Sequence, residues 1–393
     1  MKLDFVEYSE DQGKPSEWRL DGCQLGNVNL IVGKNASGKS RILKAINLIS
    51  NLLSGDEFLE ADDQLKECKL IFDSNQQEQK KVYILKVENG EVVQEIFTIG
   101  SKTYLDRKES GEGKVWAEKL GQDIDFQTPP NGLAIFKRRD SIQHPQFEEL
   151  YNWANSLRYY KFGTELGKRC LGSTKVKTKN IDLKDTDRVV DIFIAGEKEF
   201  GENFIQAITS DMLSIGYNIF QIETKTPSLF SISNEQYDLP IKLQCIYVQE
   251  SDLKAKTEQG LISQGMFRVL SLIIQLNYAL LAKKPSCILI DDIGEGLDFE
   301  RSSAMIKLLI NKAEAENGLV QLIMTTNDRF IMNGIPLEYW SVIERKAGLA
   351  KLHNIHNSKE IFDDFKFTGL NNFDFFATQF YLEGFGDEEN IEQ

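Results

Sequence analysis

At 393 residues, with 41% hydrophobic and 27% charged side chains, the chain has the composition of a folded protein of two or three domains. A formal net charge of −14 disfavours broad contact with phosphate backbones, which depends on Lys and Arg displacing counterions, and leaves only local basic patches for nucleic acid. No apolar run reaches ~18 residues, Met1 to Leu20 lacks the make-up of a signal peptide, and five scattered cysteines without a C-x-x-C pair point away from disulfides and zinc, so a cytoplasmic protein outside any membrane is expected.

The first strong pattern in chain order is an apolar strand, Val28-Asn29-Leu30-Ile31-Val32, running into Gly33-Lys34-Asn35-Ala36-Ser37-Gly38-Lys39-Ser40. A helix follows, with Ile42, Leu43, Ile46 and Leu48-Ile49 at helical spacing. The run fits G-x-x-x-x-G-K-[ST], a phosphate-binding loop. Gly33 and Gly38 allow a tight turn that aims N–H groups at phosphates, and the helix opening near Lys39 adds its positive end. Lys39 would reach the β- and γ-phosphates of ATP and Ser40 would sit on Mg²⁺. Asn35 and Arg41, inside and directly after the run, are further candidate nucleotide contacts.

From Cys68 to Tyr104 the texture turns to β-branched and aromatic alternation, with a hairpin expected between Val82–Val87 and Val92–Ile99 around Glu88-Asn89-Gly90-Glu91. Ser101 to Asn131 reads as polar and irregular, with Pro129-Pro130 as a breaker. A helix is expected over Phe147–Leu157 and a short strand over Tyr159–Phe162. Leu171 to Asp187 is a polar connection; helix resumes from Phe204, and strands are expected at Ile219–Ile222, Leu229–Ile232 and Ile241–Val248. Lys137-Arg138-Arg139, Lys168-Arg169 and Lys175-x-Lys177-x-Lys179 are the local basic patches. Gly369 to Phe376 is aromatic-rich, a docking surface or packed core.

Near the end of this succession, Cys287-Ile288-Leu289-Ile290-Asp291-Asp292 is an apolar strand closing in two carboxylates, a Walker B pattern. Asp291 is the hard oxygen ligand for Mg²⁺ and Asp292 the group that orients or deprotonates attacking water. Before it, Ser263-Gln264-Gly265 opens the long apolar helix Val269 to Ala282, where a capping hydroxyl and free N–H groups can take an anion. Local pattern alone favours an ordinary capped core helix.

This order of motifs, with Gly296-Leu297-Asp298 and the strand Gln321–Thr326 after it, resembles the ABC-type ATPases, in particular the branch of chromosome-maintenance heads, DNA-repair ATPases, OLD-like proteins and anti-phage defence AAA ATPases. The resemblance covers roughly 15–55 and 240–345. It implies an α/β P-loop ABC-type head with an antiparallel β lobe and an α-helical insertion: nucleotide-binding core 1–55 and 240–393, β lobe 56–130, insertion 131–240. It also implies ATP and Mg²⁺ as cofactors, Ser263 and Gly265 as a signature motif capping ATP on a second subunit, Asp298 as the D-loop aspartate and Asn327 at the switch position. A glutamine should complete the metal site, Gln143 first and Gln94 second. The family usually carries Glu where Asp292 stands and His where Asn327 stands, which implies slow hydrolysis. The implied protein is a head-to-tail homodimer or higher oligomer controlling a separate effector such as a nuclease; the rivals are a non-hydrolysing scaffold, a DNA-repair or transport ATPase, and a GTPase.

Overall fold

The computed structural model describes residues 1–60, 65–74, 77–173, 181–231, 243–315 and 319–385. By compactness the chain divides into Met1–Leu157 with Thr325–Gln393, and Arg158–Met324. The phosphate-loop run thus belongs with the antiparallel lobe, and the Walker B strand with the inserted helices.

In the first unit the strands follow the order Val28–Val32, Trp340–Lys346, Leu349–Asn354, Trp18–Gln24, Lys2–Glu10, Leu65–Ser74, Gln77–Glu88, Glu91–Ile99, Lys102–Lys108, Glu112–Ala117 and Gln122–Gln127. Val28–Val32 pairs in parallel with Trp340–Lys346, setting Leu30 beside Trp340 and Val32 beside Val342. All five of its residues are buried, which an unbroken apolar run requires. The helix Lys39–Ser54 buries Ile42, Leu43, Ile46 and Ile49 and meets Pro145–Ser156, where Ser50 Oγ donates to the Ala154 carbonyl at 2.8 Å.

The expected hairpin forms: Gln77–Glu88 and Glu91–Ile99 are antiparallel, and Asn89 (φ 50°) and Gly90 (φ 75°) are both left-handed, as a two-residue turn matched to strand twist demands. Ser101 to Asn131 departs from expectation, because it holds three strands rather than irregular chain. Its alternation is masked by Arg107, a fully buried cation at an inward position beside Leu105. The guanidinium donates to the carbonyls of Gly132, Pro129 and Pro130 and stands 3.8 Å from buried Glu95. Burial pushes the Glu95 carboxyl up, against the N–H groups of Ile135 and Ala134 and the charge of Arg107.

In the aromatic segment Gly369 to Phe376 one ring is in the core and Phe373 and Phe376 are half-buried. Phe375 is fully buried, edge-on to Phe362 and Phe365 at 4.6 and 5.0 Å, while Phe367 and Leu370 are exposed.

In the second unit, Ser286–Asp291 lies between Arg158–Lys161 and Val320–Thr326, parallel to both. Val189–Phe200 and Glu202–Ser214, broken at left-handed Gly201, precede the strand Ile219–Lys225, which pairs with Leu243–Glu250. The strand expected at Leu229–Ile232 is instead the short helix Ser228–Ser231, Ile232 lying outside the described residues. Glu258 accepts from the Ser228 N–H and hydroxyl, and an acid at a helix start favours the turn. The helices Glu202–Ser214, Gln264–Leu281 and Phe299–Ala315 meet at a polar cluster: Asp211 accepts from Asn277 at 2.6 Å and pairs with Lys312 at 2.9 Å, and Lys312 donates to Asn277 Oδ1 at 3.3 Å. Among the described residues no helix is long and apolar enough to cross a membrane.

Candidate nucleotide site

The phosphate loop leaves its buried strand at Gly33. A Cβ there would overlap Ile343 Cγ2 and come within 2.9 Å of Ser37 Oγ, so only glycine fits. Gly38 is left-handed (φ 109°) and starts the helix Lys39–Ser54. Ala36 is left-handed too (φ 59°), a conformation that costs a Cβ-bearing residue about 1–2 kcal/mol. Its carbonyl accepts from Arg345 Nη1 at 2.6 Å.

Lys39 is 6% exposed, and its ammonium donates to the carbonyls of Gly33 (2.8 Å) and Lys34 (3.1 Å), which holds a full positive charge inside the loop. Ser37 Oγ is buried with no hydrogen-bond partner. A cation and an orphaned hydroxyl in one glycine-shaped loop fit a phosphate ligand. Asn327 Nδ2 donates to Asn35 Oδ1 at 2.7 Å, so the Asn327 amide reaches the loop. Arg41 pairs with Glu10 and lies 4.9 Å over the Trp18 ring, a packed position.

In the second unit, Asp291 ends the buried strand and Tyr159 OH donates to its Oδ2 at 3.2 Å. Burial first, then the neighbouring Asp291 charge, pushes the phenol far up, so it stays protonated as a donor. Asp292 is left-handed (φ 53°) and opens a turn in which Gly294 and Gly296 are also left-handed. Asp298 accepts from the Arg301 N–H at 3.0 Å and pairs with its guanidinium at 2.8 Å, which holds its carboxyl below the usual range.

Ser263 caps Gln264–Leu281 by accepting from the Met266 N–H at 3.3 Å. Gly265 is closely approached, since a Cβ would stand 2.9 Å from Leu297 Cδ2 and 3.0 Å from the Gly296 carbonyl. Arg268 on the same helix donates to the carbonyls of Gly163 (2.6 Å), Thr164 (2.7 Å) and Glu295 (3.0 Å). One guanidinium therefore ties the helix Gln264–Leu281 to the turn after Asp292 and to the segment after Arg158–Lys161.

Tyr159, Arg268 and Arg345 are contacts that the sequence does not assign: Tyr159 lies inside an expected strand and Arg268 between Ser263-Gln264-Gly265 and the apolar helix, while Arg345 belongs to no motif. Gln143 sits in the turn before Pro145–Ser156, its N–H donating to Asp140 and its side-chain oxygen buried without a partner. Gln94 lies mid-strand opposite Lys86 and Lys108. Arg158–Lys161, one neighbour of the strand Ser286–Asp291, carries a side chain to Asp291 through Tyr159.

The basic runs are largely engaged. Lys137 faces Phe58 and Phe136, Arg138 lies over Phe126, and Arg139 pairs with Glu148 and stacks on Tyr151. Arg169 pairs with Glu165. Lys175, Lys177 and Lys179 lie outside the described residues. Among the described residues no group of three or more His, Cys, Asp and Glu converges in a way that could hold a metal ion.

A mixed α/β fold with a glycine-shaped phosphate loop defines a P-loop nucleotide-binding protein. The chain belongs to the family described as "AAA domain, putative AbiEii toxin, Type IV TA system", whose model matches residues 28–333, and it carries an AAA-type P-loop ATPase domain by that membership. Its fold is similar to a solved Smc head bound to the C-winged helix domain of ScpA: TM-score 0.51, 14% identity, covering 90% of this chain and 97% of that one. A second Smc head, with an extended coiled coil and bound to the C-terminal domain of ScpA from Pyrococcus furiosus, aligns at TM-score 0.45 and 11% identity, over 93% of this chain and 99% of that one. No curated protein matches the sequence.

Proposed function

We propose that this chain is an ATP-driven dimerisation switch that hydrolyses its nucleotide slowly and controls a separate effector, such as a nuclease, in anti-phage defence or DNA-damage sensing. The observation that carries nucleotide binding is the Lys39 ammonium held inside the loop on the Gly33 and Lys34 carbonyls beside the unpartnered Ser37 hydroxyl. Lys39, Gly33, Gly38 and Asn35 hold the phosphates, Ser40 and Asp291 the Mg²⁺, and Asp292 orients water, with Asn327 facing the γ-phosphate. Gln143 and Arg41 are the least supported members of the set, since Arg41 is packed against Glu10 and Trp18.

Ser263, Gly265 and Asp298 serve the nucleotide of a second copy, so ATP binds the closed dimer more tightly and shifts the population toward it. Asp292 is one methylene shorter than glutamate and Asn327 cannot carry charge, which supports turnover below about 10 per second, a typical enzyme rate. The second reading is a non-hydrolysing scaffold, favoured by the Asn327 amide being engaged with Asn35; a single-turnover ATP assay separates the two. The Smc head's ScpA domain supports a protein partner in addition to a second copy.

The test pairs two variants. Lys39→Ala is expected to abolish binding of a fluorescent ATP analogue. Ser263→Arg is expected to keep binding within about twofold and to block ATP-dependent dimerisation in light scattering. Equal loss of affinity in both contradicts the composite site, and a wild-type protein that binds no ATP contradicts the whole reading.

A further inference from the structure

We infer that Arg345 is a positioning residue of the phosphate loop, fastening Ala36 in the left-handed conformation that gives the loop its phosphate-binding shape. The inference rests on the reading of Gly33 to Ser40 as a nucleotide site. Of the three left-handed or closely approached positions in the loop, Gly33 and Gly38 are glycine and need no help. Ala36 is the exception: it carries a Cβ at φ 59°, where the loop works against the preference of its own residue.

The compensation is visible on the adjacent strand. Trp340–Lys346 runs parallel to Val28–Val32, with Val342 opposite Val32, so Ile343 and Arg345 lie next along the chain where the loop begins. Ile343 meets the loop at Gly33, and Arg345 Nη1 reaches the Ala36 carbonyl at 2.6 Å. The donor is charged and always protonated, and such bonds are about twice as strong as neutral ones. A carbonyl held there fixes the peptide plane after Ala36, and with it the direction of the Ser37 N–H. Arg345 touches no phosphate in this account; it acts through Ala36.

A clamp that offsets backbone strain makes a prediction that a merely stabilising arginine does not. Its loss should be repaired by removing the strain. Arg345→Ala is expected to weaken binding of a fluorescent ATP analogue about tenfold, with the thermal midpoint of the nucleotide-free protein within about two degrees of wild type. Arg345→Lys, which keeps a single point donor, should fall between them. In an Ala36→Gly background, where the left-handed backbone carries no Cβ penalty, Arg345→Ala should cost less than about twofold.

The result that overturns the inference is a wild-type affinity in Arg345→Ala, or a tenfold loss that persists unchanged in the Ala36→Gly background. A thermal midpoint that falls in step with affinity also overturns it, by assigning Arg345 to the stability of its strand. Failure of the nucleotide reading is distinct, since the wild-type protein would then bind no analogue and the inference would fall with it.

Discussion

The phosphate loop and the carboxylate turn share a task, holding polar groups in a fixed array where a fully buried strand ends, and they accomplish it by different means. Between Gly33 and Ser40 the array is shaped by backbone: a glycine pressed against Ile343, a left-handed Gly38, and a strained Ala36. Between Asp291 and Asp298 it is shaped by side chains: Arg268 on three carbonyls, Tyr159 on Asp291, and Arg301 on Asp298. The two should therefore fail in opposite ways. A loop held by close backbone approach breaks when atoms are added, whereas a turn held by side chains breaks when they are removed.

The largest effect expected from that contrast is at Gly33. Gly33→Ala puts a methyl group into Ile343 Cγ2, and overpacking of this kind costs about 1–3 kcal/mol, so affinity for an ATP analogue should fall by up to about 100-fold. Placed in an Ile343→Ala background, the same change should recover at least tenfold. An affinity unchanged in the single variant would break the comparison on the loop side.

Removal is the corresponding test of the turn. Arg268→Ala frees the carbonyls of Gly163, Thr164 and Glu295 at once, and positional errors near 1 Å cost on the order of 100-fold in rate when they reach the reacting groups. Because Arg268 acts at one remove, hydrolysis should fall about tenfold while nucleotide affinity stays within about twofold. Arg268→Lys cannot span three acceptors with one ammonium and should restore only part of the rate. Loss of affinity in parallel with rate would mean that the turn is not set independently of binding.

The same contrast explains what could be read from sequence. Backbone-shaped sites demand residue types at fixed spacing, so Gly33, Gly38, Lys39 and Ser40 stand out as a motif, and Asn89-Gly90 announces its hairpin through turn chemistry. Asp291 and Ser263 were legible for a related reason, each marking the end of a long apolar element. Side-chain-held contacts carry no such spacing: Arg268 meets Gly163 from more than a hundred residues away, and Arg345 is even more distant from Ala36. The three strands after Lys102 escaped because buried Arg107 occupies an inward position that alternation reserves for apolar residues, and Ser228–Ser231 escaped because its helical turn is stabilised by Glu258, thirty positions on.

The smallest effect, and the finest probe of the side-chain-held turn, is at Tyr159. Its hydroxyl donates to Asp291 Oδ2, so Tyr159→Phe removes one donor from a carboxylate that is the candidate Mg²⁺ ligand. One such bond contributes about 0.5–1.5 kcal/mol, and a ligand carboxylate that loses its orienting partner binds metal less well. The Mg²⁺ concentration for half-maximal hydrolysis should rise about threefold, with the affinity for metal-free nucleotide unchanged. Burial and the Asp291 charge both hold the phenol proton on, so wild type and variant should differ by the same factor from pH 6.5 to pH 8.5. A gap that narrows as pH rises would show the phenol titrating, and a midpoint that does not move would show that Asp291 is oriented without Tyr159, which would weaken the side-chain account of the carboxylate turn.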